Sequence, residues 1–183
     1  DMKIPVNDCD IGGHVLEELG AQPFSQGGFS HKFSLPDCFL DSPEQALLTI
    51  VLWSEVKHQG GGTFVAPDSV RVVARYLADH PEGIPPGKLP VGELLAKCER
   101  FEELSGEIGD FIILHPFMLH ASSQNVSGIP RFMTNPPVVL KEPMNLNRED
   151  PAEYSLLERA TLHYLGVDRL HFAPTHEREA HWV

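Results

Sequence analysis

Residues 109–137 restrict this chain more than any other stretch. Gly109-Asp110 is turn chemistry, and Phe111 to Leu119 is apolar at nearly every position. That is the pattern of a strand covered on both faces. His120 stands at its far end, ahead of the small polar run from Ala121 to Asn125. Arg131 follows eleven positions later and opens a second apolar segment that runs to Leu140. A histidine leaving a buried strand, with an arginine on the next, can bind a metal and an anion side by side.

The segments before this stretch divide at turn residues. Ala46 to Trp53 is an apolar, β-branched run and reads as a buried strand carrying Trp53 and Glu55 into the core. Gln59 to Gly62 is a turn, and Thr63 to Ala66 is a short strand expected to form a hairpin with the first. Gly60-Gly61-Gly62 is not a phosphate loop, because no Lys-Ser/Thr follows it. Pro67-Asp68-Ser69 starts a helix, capped by Asp68 or Ser69, whose Val70, Val73, Ala74 and Leu77 form one apolar stripe. His80-Pro81 ends it. A second helix spans Val91 to Phe101 with Leu94, Leu95 and Cys98 inward, and Glu102 to Glu107 is an acidic connector. A last helix begins at Asp150-Pro151, buries Tyr154, Leu157, Leu162 and Leu165, and stops at Gly166. Strands in the middle with helices outside, and no βαβ alternation, point to a β-sandwich or barrel rather than a parallel α/β sheet.

Charge and cysteines narrow the setting. With 26 acids against 14 bases the surface repels nucleic acid and anionic membranes, so neither is expected as a partner. Cys9, Cys38 and Cys98 form no disulfide framework and no CxxC pair, which favours a reducing compartment and makes the cytoplasm the default. Apolar runs stay well below the ~20 residues of a membrane helix. The chain starts at Asp1, as a processed or trimmed product would. Its length suits one domain across residues 1–183. No Gly-x-Ser-x-Gly elbow is present to support serine-hydrolase chemistry.

Ten histidines occur, and His120 is the one whose position suggests a ligand. His115 lies five positions earlier, an odd offset that puts it on the other face of a regular strand. The stretch from Gly109 to Pro137, with Trp53-Ser54-Glu55-Val56 and Gly60 to Ser69, resembles the phytanoyl-CoA dioxygenase family, in particular its fungal members, many of them in natural-product pathways. The similarity covers roughly residues 39–170, and residues 1–38 match it poorly. The resemblance implies a mainly β fold, a double-stranded β-helix (jelly roll, cupin-like) with flanking α-helices. It implies a non-haem Fe(II)/2-oxoglutarate oxygenase, with ascorbate as reductant, acting on a small apolar organic substrate. His120 matches the family's distant iron-binding His, and Arg131 matches the residue that pairs with the far carboxylate of 2-oxoglutarate.

One departure stands against this. The family's His-x-Asp pair belongs shortly before Phe39, where this chain has His31-Lys32-Phe33, and Phe33 cannot coordinate iron. Asp37 and Asp41 are the nearest carboxylates. Three readings follow: iron held by His31, His120 and an unconventional acid such as Asp37; two histidines with an exogenous ligand; or a metal-free relative. That relative would be an isomerase, a cyclase or a non-catalytic subunit of an active partner. The substrate is a small molecule in the oxygenase reading, and homo- or hetero-oligomers are equally compatible with the sequence.

Overall fold

In the computed structural model, residues 37–44, 46–85 and 87–178 are described. They form two small antiparallel sheets with a few helices, a mainly β architecture. In sheet one, β1 (Leu47–Leu52) is central. One edge pairs with β4 (Phe111–Leu114); the other pairs first with β7 (Pro137–Val138) and then with β6 (Met133–Thr134). In sheet two, β2 (Thr63–Ala66) lies between β3 (Glu102–Leu104) and β5 (Leu119–Ser122). The expected hairpin of β1 and β2 therefore does not form. The ten residues between them carry the chain from one sheet to the other.

The apolar run from Phe111 to Leu119 divides likewise. It is not one strand covered on both faces but β4 in sheet one and β5 in sheet two. The break falls at His115-Pro116, where proline has no amide proton for a ladder and the Met118 amide turns back to the His115 carbonyl at 2.9 Å. The segment from Arg131 to Leu140 is also interrupted, at Asn135-Pro136, but both of its halves, β6 and β7, stay in sheet one beside β1. The acidic connector contains β3.

Helices back sheet two. In α1 (Ser69–Ala78) the stripe of Val70, Val73, Ala74 and Leu77 is buried as its spacing predicts. Asp68 occupies the cap position without capping; its Oδ2 accepts from the Glu99 amide at 2.7 Å instead. α2 (Val91–Leu95) is shorter than the pattern suggests, with Leu94, Leu95 and Cys98 inward. A 3-10 turn, Pro151–Glu153, precedes α3 (Leu156–Leu165). Ser155 and Glu158 form a reciprocal capping box at the start of α3, and Gly166 ends it in the left-handed region. The three helices share one apolar cluster with Ala66 of β2, Leu119 of β5, Met144 and Leu146. A smaller cluster of Ile50, Leu52 and Val56, with Leu104, Ile112, Leu114 and Met133 against it, fills the space between the sheets. No helix among the described residues is long and apolar enough to cross a membrane.

Candidate functional site

β5 carries His120, and its register decides where the imidazole points. Leu119 opposes Ala66, and His120 opposes Val65. Leu119 and Ala121 are buried, Leu119 within the helical cluster, so His120 and Ser122 take the opposite face. They share it with Thr63, Val65 and, across β2, Leu104, which packs into the cluster between the sheets. His120 thus faces the inter-sheet space from the second position of β5, not from the end of a long strand. Ser69 of α1 fixes the start of β5 by accepting the Leu119 amide at 2.8 Å.

The imidazole is oriented by its own turn. His120 Nδ1 lies 2.9 Å from the Met118 carbonyl, which can only accept, so Nδ1 carries the proton and Nε2 keeps its lone pair. Burial pushes the His120 pKa below its ordinary value, and the Met118 carbonyl only partly offsets that. A neutral ring with one nitrogen tied to a carbonyl and the other open is the state that ligates a metal.

Arg131 lies just before β6. Met133, two residues on, opposes Leu52 and packs into the inter-sheet cluster, and period two in an extended chain gives Arg131 the same side. Its side chain crosses the Gly60–Gly62 turn: a Cβ on Gly61 would stand 2.9 Å from Arg131 Nε. No ion pair to Arg131 occurs among the described residues, in a chain with twelve more acids than bases. Burial lowers its pKa from the ordinary guanidinium value.

Arg131 also borders an open hollow of about 470 Å³ with Trp53, Phe132, Met133 and Thr134. His120 does not line it. Thr134 pairs with Val51 on the side of sheet one away from Leu52, and Trp53 Nε1 donates to Thr134 Oγ1 at 3.0 Å. The hollow therefore takes residues from both sides of the β6 segment, Thr134 from the outer and Met133 from the inner, and no cross-strand pair joins Arg131 to His120. Trp53 stands past the end of β1 and is 58% exposed, so the expected packing of Trp53 in a buried strand is not found; Glu55 is exposed too.

The remaining expected ligands are not gathered around His120. His31 lies outside the described residues. Asp37 is half-buried beside the Cys38–Ile84 bridge, and no strand pairing among the described residues links that segment to β5. Asp41 accepts a hydrogen bond from Arg178. His115 departs toward the helices, where its Nε2 lies 3.2 Å from Thr161 Oγ1. Among the described residues no three His, Cys, Asp or Glu side chains converge on a metal position. His120 Nε2 has no hydrogen-bond partner and Arg131 no ion pair among the described residues, and the described residues do not complete an iron site.

Sequence reasoning passed over Glu103. Its side chain is 3% exposed. It accepts from Ser123 Oγ at 2.6 Å and the Gln59 amide at 2.7 Å, with His58 Nδ1 at 2.8 Å. Burial alone would raise its pKa; the bonds from Ser123 and Gln59 and the neighbouring His58 outweigh that and hold the carboxylate below its usual range.

Compared with known proteins, the chain matches no family model, no curated protein and no solved structure.

Proposed function

We propose that the chain is a jelly-roll oxygenase of the iron/2-oxoglutarate type, similar to the phytanoyl-CoA dioxygenase family, acting on a small apolar substrate. One observation carries the reading: the order of the strands, with His120 on one of them and Arg131 two residues ahead of another. A jelly roll is a long hairpin of eight strands rolled so that partners alternate between two sheets. The third strand then pairs with the sixth and eighth, and the fourth with the fifth and seventh. With β6 and β7 counted as one broken strand, β1 pairs with β4 and β6/β7, while β2 pairs with β3 and β5. That order is compatible with the third to eighth strands of such a roll. In this reading His120 would lie on the seventh strand and Arg131 at the entrance to the eighth.

Iron, held by His120 with His31 and either Asp37 or an exogenous ligand, would supply oxygen activation coupled to decarboxylation of 2-oxoglutarate. The chain's own residues have simpler tasks. Arg131 presents a planar fork that pairs with the far carboxylate of the 2-oxo acid through two parallel hydrogen bonds. The Met118 carbonyl holds the His120 ring in the tautomer that leaves Nε2 open. Ile50, Leu52 and Val56 keep the inter-sheet space dry, which strengthens both contacts.

The test is iron content and succinate release by the purified chain supplied with Fe(II), ascorbate and 2-oxoglutarate. Iron retention and succinate are expected, with retention lost in His120→Ala. Arg131→Ala removes a charge-assisted bidentate pair, so half-saturation by 2-oxoglutarate should rise by about 30- to 100-fold. A chain that takes up no iron and yields no succinate is the metal-free relative, and the oxygenase reading fails.

A further inference from the structure

The Gly60–Gly62 turn touches both Arg131 and the buried Glu103 carboxylate. Each glycine is required for a different reason. A Cβ on Gly60 would stand 2.7 Å from the Lys57 carbonyl oxygen, and one on Gly62 would stand 2.2 Å from that of Leu104. Gly61 has φ +81° and packs its bare Cα against Arg131 Nε and Asn125 Cβ, both 2.9 Å from where a Cβ would sit. Gln59, ahead of them, also has positive φ, at 58°.

The turn is tied down from two sides. Glu103 accepts the Gln59 amide at 2.7 Å, just ahead of the glycines. The β5–β6 loop is bonded to the turn through Ser123 N to the Gly62 carbonyl at 2.8 Å and Val126 N to the Gln59 carbonyl at 2.9 Å. Ser123 Oγ closes the circuit by donating to Glu103. The Arg131 side chain therefore lies on a surface with no side chain of its own and little freedom to move.

We infer that Gly61, in a turn clamped by Glu103, is the positioning residue for Arg131: it sets where the guanidinium fork meets the far carboxylate of a 2-oxo diacid. This rests on Arg131 being that anchor. Gly61 touches no ligand and acts through the arginine. An added methyl at 61 pushes on Nε and tilts the fork, so one of two parallel hydrogen bonds is lost while the 2-oxo acid end is unaffected.

The test measures anaerobic binding of 2-oxoglutarate and of 2-oxobutyrate, which lacks the far carboxylate, to the Fe(II)-loaded full chain. Gly61→Ala should weaken 2-oxoglutarate by about tenfold. It should leave 2-oxobutyrate within about twofold, because that acid has no far carboxylate for the fork to meet; a positive-φ penalty alone would instead affect both acids equally. On an Arg131→Ala background the Gly61→Ala loss should vanish. Glu103→Gln should show the same selectivity more weakly, and it carries the test if Gly61→Ala does not fold. Full additivity with Arg131→Ala, or equal weakening of both acids, overturns the positioning role while the anchor stands. A wild-type chain that binds the two acids equally overturns the anchor, and the positioning role with it.

Discussion

The two sheets are packed differently, and the candidate site draws one residue from each. Sheet two has α1, α2 and α3 against one face, and the cluster they form runs continuously through Leu77, Leu94, Leu119 and Leu162. Sheet one has a cluster of three buried residues on its inner face, and on its outer face Phe111 and Ile113 are 55% and 58% exposed. Helical burial is a cooperative source of stability; a sheet wetted on one side contributes less per strand. His120 belongs to the helix-backed half and is anchored to it through Ser69. Arg131 belongs to the thinner half, and its side chain packs against the Gly60–Gly62 turn, whose leading residue Gln59 is held by Glu103. The imidazole should tolerate change nearby better than the guanidinium.

The largest effect expected from this contrast is in the helical layer. Leu77 is fully buried at the centre of its cluster. Leu77→Ala should cost about 2–5 kcal/mol in urea unfolding, a transfer loss plus a cavity. A cost below about 1 kcal/mol would mean that α1 unfolds apart from sheet two, and the contrast between the halves would collapse.

Acid should also strike the helix-backed half. Burial lowers the His115 pKa from 6.5 to about 4. Between those values the unfolded chain binds the proton and the folded one does not. Stability is thus complete above pH 6.5 and declines as pH falls toward 4. A shift of that size corresponds to roughly 3 kcal/mol. His120, also lowered by burial, adds in the same direction. Urea midpoints across pH 4–7 should fall steeply in the wild type and less steeply in His115→Gln, with the residual slope shared by His120 and, near pH 4, by the carboxylates of Glu103 and Glu158, which are held below their usual range. An unchanged slope in the variant would remove His115 as its source.

The same contrast explains what the sequence revealed. The α1 stripe was legible because a period of 3.6 needs only one covered face, and Val70, Val73, Ala74 and Leu77 all meet the core. The fate of Phe111 to Leu119 was not, because a continuous apolar run does not say which partner each half finds. Pro116 was the available clue to the break. The hairpin expected of β1 and β2 failed for a related reason: adjacency and a glycine turn specify a bend, whereas pairing follows which apolar faces meet. His120 and Arg131 stood out by residue type and spacing, and the structure adds only their place: one on β5, one just ahead of β6. Glu103 was hidden because a buried carboxylate in an acidic stretch looks like solvated charge until its donors, brought from Gln59 and Ser123, are placed around it.

The smallest effect belongs to the exposed face of β4. Phe111 opposes Val51 on the outer side of sheet one and leaves more than half its surface in solvent. Phe111→Ser removes little buried area, so the expected change in unfolding free energy is within about 0.5–1 kcal/mol. The ring does cover part of Val51, and serine is a poorer strand former, so the sign should be destabilising. A loss comparable to that of Leu77→Ala would mean that this face is covered in solution. Sheet one would then be as deeply packed as sheet two, and the relative fragility assigned to Arg131 would have no basis.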